Sequence, residues 1–330
     1  KFIGIKEYVF FHCFGKFCVD TSVASAMGLL NLASLEWEES ILQFIGIGQE
    51  QLSPVVPTKQ VLNYEGTNPQ LNIPLQTPIV IGGSDGALSN IGAVGNDLQA
   101  MVATIGTSGA VRVIVSQPKA DPQMRTFCYH VKDNYYITGG ATNNGAVVLQ
   151  WLKETLLKTE ESYEALLDLA EGVAPGSDGV LFLPYLLGER APIWNAHAKG
   201  VFFGLSVQHS KAHLVRAAME GVIYCLYSIG RILLEEKDTS ELYASGGFAR
   251  SPLWLQLLAD VFNKNVLVSA AVESAALGAV IIGAEALGIE YNEGKRIDAV
   301  YKPNPVHHEV YRKGFEQFQR LYKLLEGEMK

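Results

Sequence analysis

Hydrophobic positions along the chain follow two patterns. Short apolar runs bounded by glycine, proline or polar residues predict strands, and apolar positions repeating every three to four residues predict amphipathic helices. The predicted strands are 78–81, 102–104, 110–115, 126–131, 135–138, 180–183, 241–244 and 266–269. The predicted helices are 35–47, 143–158, 162–171, 211–234, a helix ending at Phe262, 274–287 and one running from His308 toward Glu326.

The order of these elements indicates an α/β fold. Residues 1–75 are expected to be mostly helical, with a proline-containing loop over 51–74. Two hairpins then precede alternating strands and helices, which favours a mixed sheet flanked by helices. A chain of 330 residues exceeds the usual size of one compact core, so two domains are expected. The boundary is placed within 90–96, giving domains 1–92 and 93–330.

Composition excludes several classes of protein. Apolar residues make up 48% and charged residues 18%, as in a folded globular chain. The net charge of −8 argues against a nucleic-acid partner. No apolar run of membrane-spanning length lacks charged or glycine interruptions, so no membrane partner is expected. Four scattered cysteines without zinc spacing predict buried thiols in a cytoplasmic protein, and no metal ligand is assigned.

Asp85 is the most informative candidate for chemistry. It lies on the glycine-flanked loop Gly82-Gly83-Ser84-Asp85-Gly86, after the apolar run 78–81, which fits a buried strand, and before a predicted helix. Such a carboxylate can accept the proton of a hydroxyl that attacks phosphorus. A carboxylate at this position is equally typical of an Asx turn or a helix N-cap. The local pattern leaves both interpretations open.

A second glycine turn follows at 104–109. Thr104, Gly106, Thr107, Ser108 and Gly109 combine backbone N–H groups with hydroxyls, which suits an anion such as phosphate. An ordinary glycine hairpin is the competing interpretation. No GxxxxGK[ST] motif occurs, so this is not a Walker loop.

Two further glycine-rich turns precede helices. In the segment 245–251, Gly246, Gly247, Phe248 and Ser251 could approach a planar base or a phosphate at a helix N-terminus. In the segment 138–145, Gly145 ends a similar turn. A tight structural connection explains either turn alone, but three such loops together favour a nucleotide site.

The loop at 188–194 is a further candidate for a functional role. The segment 188–194 contains Glu189, Arg190 and Trp194, and could clamp a cleft. A surface salt bridge beside a packed tryptophan is the plainer interpretation. No metal-ligand spacing occurs among His197, His209, His213, His307 and His308, so most of them are expected to lie at the surface or to cap helices.

These motifs together resemble the FGGY carbohydrate kinases. The most specific match is Gly200-Val201-Phe202-Phe203-Gly204-Leu205, followed after seven residues by 213–220, which ends at Glu220. It is similar to the family's second signature, and 1–8 is similar to the first signature without its frequent tryptophan. The loops at 81–85, 104–108 and 244–248 resemble the family's catalytic-aspartate, second phosphate and adenosine motifs. The resemblance covers essentially the whole chain.

The resemblance implies a fold and a reaction. The fold is that of actin, hexokinase and the heat-shock ATPases (ribonuclease H-like), with an ATP cleft between two domains. ATP and Mg²⁺ are the implied cofactors, and the γ-phosphate passes to a terminal sugar hydroxyl. Asp85 is the implied base, Thr104, Gly106, Thr107 and Ser108 the phosphate-binding residues. The implied adenosine site is formed by Gly246, Gly247, Phe248 and Ser251, with Gly145 on the opposite wall.

Within the family, segments 1–8, 19–20 and 105–110 look most like gluconate kinases. The expected reaction is therefore gluconate to 6-phosphogluconate, with xylulose or another pentulose as an alternative acceptor. A non-catalytic, actin-like ATP-binding or sugar-sensing protein is the alternative of another class. A homodimer is the assembly considered.

One departure from the family limits this expectation. No DxGTT-like phosphate hairpin precedes Lys1, and the family's first strand is not found. Residues 1–92 are therefore expected to be the back of the sugar domain, and residues 1–330 by themselves are expected to show negligible turnover.

Overall fold

The computed structural model describes residues 1–66, 68, 70–237, 239–269, 273–291 and 297–330. Its helices are α1 (Ile5–Phe14), α2 (Thr21–Ala26), α3 (Glu39–Ile45), α4 (Asp85–Val94), α5 (Val147–Trp151), α6 (Tyr163–Glu171), α7 (Lys211–Glu236), α8 (Pro252–Phe262), α9 (Ser274–Ala286) and α10 (Pro305–Leu325). Its strands are β1 (Val19–Asp20), β2 (Leu30–Asn31), β3 (Glu36–Trp37), β4 (Val55–Val56), β5 (Val61–Asn63), β6 (Pro78–Val80), β7 (Ala100–Ile105), β8 (Gly109–Val115), β9 (Phe127–Lys132), β10 (Tyr135–Thr142), β11 (Leu181–Pro184), β12 (Gly200–Phe203), β13 (Glu241–Ser245), β14 (Val266–Ser269) and β15 (Ile297–Tyr301).

A mixed sheet of seven strands organises the molecule, in the order β15-β14-β13-β7-β8-β10-β9. β13 runs parallel to both β7 and β14, and the other pairs are antiparallel. The two predicted hairpins are confirmed as β7–β8 and β9–β10. A mixed sheet with helices on its faces is the architecture that the sequence predicts.

The two faces of this sheet bury different clusters. Met101, Ala103 and Val113 point into the main core with α5, α7, α8 and α10. Val102 and Ile114, one position along, point to the other face and pack with α4. Successive side chains of a strand alternate between faces, so β7 and β8 contribute to both cores.

Helix prediction succeeds in the second half and fails in the first. In the second half, five predicted helices match α6 through α10 closely. The helix predicted over 143–158 begins later, at α5, and continues as a π-helix over Leu152–Leu157. Residues 1–75 are not mostly helical: α1, α2 and α3 are short and alternate with two- and three-residue strands. The predicted helix over 35–47 is shortened because Glu36 and Trp37 pair with Asn31 and Leu30.

The strand before Asp85 also differs from its prediction. Within the described part of the chain, β6 pairs only with β5, in a two-stranded sheet outside the large one. Pro78 is exposed, Ile79 and Val80 are half-buried, and only Ile81 is buried, at 4% exposure. An apolar run of this length does not distinguish a buried strand from one at the edge of a small sheet.

The domain boundary expected between residues 92 and 93 falls inside α4. This helix packs against both β7 and α9, so it joins the N-terminal part to the large sheet. Among the described residues, Lys211–Glu235 of α7 is long and apolar enough to span a membrane by length and composition. Seventy-eight per cent of that window is buried inside the protein.

Candidate functional site

Asp85 is the first residue of α4, and Ser84 before it caps the helix. Ser84 has an extended backbone, and its Oγ accepts a hydrogen bond from the Ala87 N–H at 3.4 Å. The Asp85 side chain is exposed, and its Oδ1 accepts the Gly86 N–H at 2.7 Å. The N-cap of α4 is therefore Ser84, and not Asp85, for which the sequence allowed this role. The exposed carboxylate is accessible to a substrate hydroxyl.

Residues from the first helices hold the Asp85 loop. The Ser22 Oγ lies 3.1 Å from the Ser84 Oγ and accepts the Ser84 N–H at 3.2 Å. The Lys6 Nζ donates to the Asp20 carboxylate at 2.5 Å and to the Gly83 carbonyl at 3.3 Å. Asp20 is fully buried, so its charge is paired inside the protein. Sequence reasoning missed this anchoring role, although both the 1–8 and 19–20 segments belong to the motifs that resemble the family.

The predicted phosphate turn connects β7 and β8. α4 packs against β7, and the start of α4 lies close to β8, because a Cβ on Gly86 would lie 3.3 Å from the Arg112 Nη2. Gly106, Thr107 and Ser108 form the exposed turn between β7 and β8, closed by the Gly106 N–H donating to the Ser108 carbonyl at 2.8 Å. Within the described residues, the hydroxyls of Thr107 and Ser108 take no hydrogen bond. They are available to a ligand.

Thr104 at the base of this turn carries an orphaned polar atom. Its Oγ1 is buried and finds no partner in the part of the chain that the structure describes. A buried hydroxyl without a partner is costly, so such an atom indicates a ligand or a water that completes it. This observation fits a phosphate or its hydration shell at the turn.

The Gly145 turn is bound directly to the phosphate turn. The Gly145 and Ala146 N–H groups donate to the carbonyls of Thr107 and Gly106 at 3.1 and 2.8 Å. A Cβ on Gly145 would lie 2.5 Å from the Ser108 carbonyl oxygen, closer than real Cβ atoms come. The N–H of Gly145 is thus used within the protein. Its glycine identity permits a close approach of two backbones.

The predicted adenosine turn, 245–251, lies next to the phosphate turn because β13 pairs in parallel with β7. Ser245 lies opposite Thr104 in the β13–β7 register, so both strands end at one edge. Gly246 follows with φ 102°, and a Cβ there would lie 2.7 Å from the Ile105 carbonyl oxygen. Only glycine combines this conformation with this approach.

A cavity of about 690 Å³ lies between these turns. Five predicted residues line it: Gly106, Thr107, Gly247, Phe248 and Ser251. Its volume is that of a small-molecule site. The other predicted residues, Thr104, Ser108, Gly145 and Gly246, border the lining through the backbone contacts described above.

Sequence reasoning missed the opposite wall of this cavity. Gln150 of α5, Tyr163, Leu167 and Asp168 of α6, and Arg250 after β13 also line it. The hydrophobic periodicity of α6 predicts a helix with one exposed face. It does not indicate that this face lines a binding site. Apolar walls with a few polar groups suit a planar base and its sugar.

Glu189 holds the glycine-rich turn at 138–145 through hydrogen bonds to its carboxylate. Its carboxylate accepts hydrogen bonds from the Thr142 hydroxyl at 2.5 Å, from the Asn143 N–H at 2.9 Å and from the Arg190 N–H at 2.7 Å, and lies 3.3 Å from the Asn144 Nδ2. Glu189 is 3% exposed, and burial raises the pKa of its carboxyl group while these hydrogen bonds oppose the rise.

The plainer interpretation of the 188–194 loop, a surface salt bridge beside a packed tryptophan, is wrong. Glu189 is buried, and Trp194 is 52% exposed. Glu189 acts on the turn that carries Gly145, so the loop supports the site without lining the cavity. A single sequence does not distinguish a buried network from a surface pair.

The signature at 213–220 has a structural place. The Glu220 carboxylate accepts hydrogen bonds from the Gly176 N–H, the Ser177 hydroxyl and the Arg216 Nε at 2.9, 2.9 and 3.0 Å. The Arg216 Nη2 donates to the Tyr311 hydroxyl at 2.5 Å. These buried groups tie α7 to α10 and to the turn before β11. None of them lines the 690 Å³ cavity.

No cluster of three or more His, Cys, Asp or Glu side chains suited to a metal occurs within the described ranges. No disulfide joins the four cysteines within the described residues. Cys18 and Cys225 are buried as predicted, whereas Cys13 and Cys128 are only half-buried. Burial raises the pKa of Cys225 well above its ordinary value, which makes this thiol unreactive.

Family models match most of the chain. The model of the FGGY family of carbohydrate kinases, N-terminal domain, matches residues 1–92, and the C-terminal domain model of the same family matches residues 101–287.

Curated relatives include two kinds of sugar kinase. The chain is 42% identical to the gluconokinase of Bacillus licheniformis over 348 aligned positions, covering 99% of this chain and 67% of the relative. It is 31% identical to the xylulose kinase of Staphylococcus epidermidis, covering 96% and 66%. The chain thus spans about two thirds of the length of these relatives.

Solved structures of the same kinds share the fold. The gluconate kinase from Lactobacillus acidophilus superimposes with a TM-score of 0.93 at 37% identity, covering 98% of this chain and 67% of that one. The ligand-bound xylulose kinase from the same organism gives a TM-score of 0.94 at 37% identity, covering 99% and 68%.

Proposed function

Because the chain belongs to the FGGY family of carbohydrate kinases, we propose that the protein transfers the γ-phosphoryl group of ATP to gluconate and forms 6-phosphogluconate. The observation that carries this proposal is the parallel register of Ser245 with Thr104, which sets the two nucleotide turns side by side at one edge of the sheet. The 42% identity to a gluconokinase supports the choice of acceptor.

Asp85 is the base in this proposal. It accepts the proton of the terminal hydroxyl as that oxygen attacks the γ-phosphorus. Its exposure at the start of α4, capped by Ser84 and anchored through Ser22 and Lys6, supports this role. A rigid loop keeps the carboxylate in one orientation, which is what proximity catalysis needs.

The nucleotide lies in the 690 Å³ cavity. Gly106, Thr107 and Ser108 contact the β- and γ-phosphates, with the orphaned Thr104 hydroxyl completing that end. The residues assigned to adenine and ribose are Gly246, Gly247, Phe248 and Ser251. Gly145 belongs to this site through its contact with the phosphate turn.

Mg²⁺ is part of the proposal as the partner of ATP. Mg²⁺ in such sites is held mainly by phosphate oxygens and water, with one or two carboxylates at most. The exposed hydroxyls of Thr107 and Ser108 and the carboxylate of Asp85 are the residues assigned near it. When bound, the ion neutralises charge on the transferring group.

Domain closure and location complete the proposal. We assign residues 1–92 to the sugar side and 93–330 to the nucleotide side of the cleft. Closure of the two would exclude water from the γ-phosphate. The reaction is placed in the cytoplasm, where ATP is available, and a homodimer is the proposed assembly.

The second candidate acceptor is xylulose or another pentulose. It is supported by the ligand-bound xylulose kinase, whose TM-score of 0.94 equals that of the gluconate kinase within 0.01. A non-catalytic sensor is disfavoured by the presence of Asp85 with an exposed carboxylate.

Product detection tests the proposal. The protein expressed from its complete gene is incubated with ATP and, separately, gluconate, xylulose and glycerol, and phosphorylated products are identified by ³¹P NMR and mass spectrometry. We expect 6-phosphogluconate as the dominant product. A phosphorylated pentulose would replace the acceptor, and ATP binding without any product would favour the sensor.

A further inference from the structure

Arg112 lies on β8, four residues after Ser108, the last residue of the phosphate turn. It pairs with Gly139 on β10, and a Cβ on that glycine would lie 3.0 Å from the Arg112 Cγ. The absence of a side chain at Gly139 therefore gives the arginine room to lie across the neighbouring strand. Because Val111 and Val113 point into the main core, Arg112 points to the opposite face, toward α4.

The guanidinium group has one protein partner and an open edge. Its Nε donates to the Tyr129 hydroxyl at 3.1 Å, and Tyr129 is only 9% exposed. Its Nη1 and Nη2 make no hydrogen bond to any described residue. The whole side chain is half-buried. A half-buried guanidinium with four N–H donors unused is well suited to bind an anion.

This open edge lies beside the candidate base. The Arg112 Nη2 is 3.3 Å from the point that a Cβ on Gly86 would occupy, and Gly86 directly follows Asp85. Burial raises the pKa of Tyr129; the Arg112 charge lowers it and the Asp85 charge raises it further, so both charges act on one hydroxyl. Gly86 has no side chain, and the guanidinium lies against the space this leaves.

The position of Arg112 relative to the nucleotide cavity indicates which reactant supplies the anion. That cavity is lined by residues of α5, α6 and α8, and its wall residue Leu149 belongs to the main core. Arg112 lies on the other face of the sheet, does not line the cavity, and shares its surroundings with α4 and Tyr129. The γ-phosphoryl group and the acceptor both reach Asp85, but Arg112 does not line the nucleotide cavity, which leaves the acceptor as its partner. The open chain of gluconate can bend, so its carboxylate can approach Arg112 while its terminal hydroxyl lies at Asp85.

We propose that Arg112 binds the carboxylate of the acceptor, and that this ion pair selects open-chain sugar acids over neutral sugars. The inference rests on the proposed function and names the specificity determinant of the same site. A planar guanidinium can bind a carboxylate with two parallel hydrogen bonds, which lysine cannot reproduce. A site built around a charged partner rejects an analogue that lacks it, because the charge is left unpaired.

The test compares variants on charged and neutral acceptors. Arg112→Gln is expected to raise KM for gluconate by about 100-fold, with KM for ATP unchanged, and Arg112→Lys to fall between. Tyr129→Phe, which removes only the partner of Nε, is expected to raise KM for gluconate by about threefold. Arg320→Gln, at an exposed position on α10, is the charge-matched control and should change nothing.

Neutral acceptors and direct binding complete the design. Glucitol, which replaces the carboxylate of gluconate by an alcohol, should bind wild type and Arg112→Gln equally weakly in calorimetry without nucleotide. Unchanged gluconate affinity in a folded Arg112→Gln variant would overturn the inference. So would a fall in kcat alone, because the anion would then be the transferring phosphoryl group. If wild type phosphorylates nothing, the proposed function fails, whereas gluconate calorimetry still decides the role of Arg112.

Discussion

The N–H of Gly145 donates a hydrogen bond to the Thr107 carbonyl across 3.1 Å, which fastens the turn before α5 to the phosphate turn after β7. These residues lie 38 positions apart in the chain (145 minus 107) and are joined because Thr142 pairs with Gly109 at the end of the β8–β10 ladder. The proposed phosphate site is therefore fixed by backbone contacts, without the side chains of a Walker loop.

Gly145→Ala should displace the phosphate turn. The added Cβ would lie 2.5 Å from the Ser108 carbonyl oxygen and 2.7 Å from that of Gly106, so the two backbones must separate. We expect ATP affinity to fall at least about tenfold and the free energy of unfolding to fall by roughly 1–3 kcal/mol. Calorimetry with ATP and urea unfolding measure both.

Gly283→Ala is the matched control. Gly283 lies within α9, and a Cβ there meets nothing within 4 Å. Alanine should leave ATP affinity unchanged and stabilise the helix by about 0.5–1 kcal/mol. Wild-type ATP affinity in Gly145→Ala would contradict the fastening of the two turns.

Ser84→Ala should loosen the loop that carries Asp85. The variant loses the cap on Ala87 and the hydroxyl contact with Ser22. We expect the protein to lose about 0.5–2 kcal/mol of stability and kcat to fall severalfold, because the carboxylate is less well oriented. Steady-state kinetics and thermal unfolding provide the two readouts.

Asn304→Ala is the control that distinguishes a loss of protein stability from a loss of orientation of the Asp85 carboxylate. Asn304 caps α10 by accepting the Val306 N–H at 2.9 Å, away from the Asp85 loop. Its loss should destabilise the protein by a similar amount at unchanged kcat. An equal fall of kcat in both variants would mean that the Ser84 effect is only loss of stability.

The signature ending at Glu220 should act on stability and leave the chemical step intact. Glu220→Ala leaves the Arg216 charge buried without its carboxylate, which costs about 3–5 kcal/mol. Glu235→Ala, in an exposed pair with Arg231 on the same helix, should cost less than about 1 kcal/mol. Urea unfolding compares them, and a lower kcat in folded Glu220→Ala would assign the signature a role in the reaction.

His130 should make stability depend on pH. Burial lowers its pKa below the ordinary 6.5, although the Asp133 carbonyl, and the charges of Asp133 and Asp20, oppose the shift. The unfolded chain then binds more protons than the folded one, so the His130 contribution is complete above pH 6.5 and is lost as the pH falls below it.

The measurement is the free energy of unfolding between about pH 5 and pH 7. His130→Gln should show a shallower fall toward acid pH than wild type, with a lower stability at pH 7 because the hydrogen bond with Thr21 is altered. His197→Gln, at an exposed position, should keep the wild-type slope. The same slope in His130→Gln would exclude His130 as its source.

The sequence predicts the elements of the second half because their periodicity is strong and their ends carry glycine or proline. It does not predict that β13 pairs with β7, since register depends on contacts between residues far apart in the chain. In the first half, strands of two residues such as β2 and β3 leave no periodic signal.

The same limit applies to the site. The glycine turns are visible locally, whereas the anchoring of Gly83 by Lys6 and the buried role of Glu189 depend on tertiary packing. The apolar run before Asp85 predicts a buried strand, and the structure has a half-exposed one that pairs with β5 outside the large sheet. Burial depends on the neighbouring segments, which one run of residues does not specify.

The rate of phosphoryl transfer by Asp85→Asn tests the proposed reaction most directly. The substitution keeps the size of the side chain and removes its basicity, and Asp85 does not line the nucleotide cavity. In the protein expressed from its complete gene, with ATP and gluconate, we expect kcat to fall by about 10²–10⁴-fold at near-normal ATP affinity. Glu39→Gln, at an exposed first-turn position of α3, should retain wild-type kcat. An unchanged kcat in Asp85→Asn would contradict the assignment of the base.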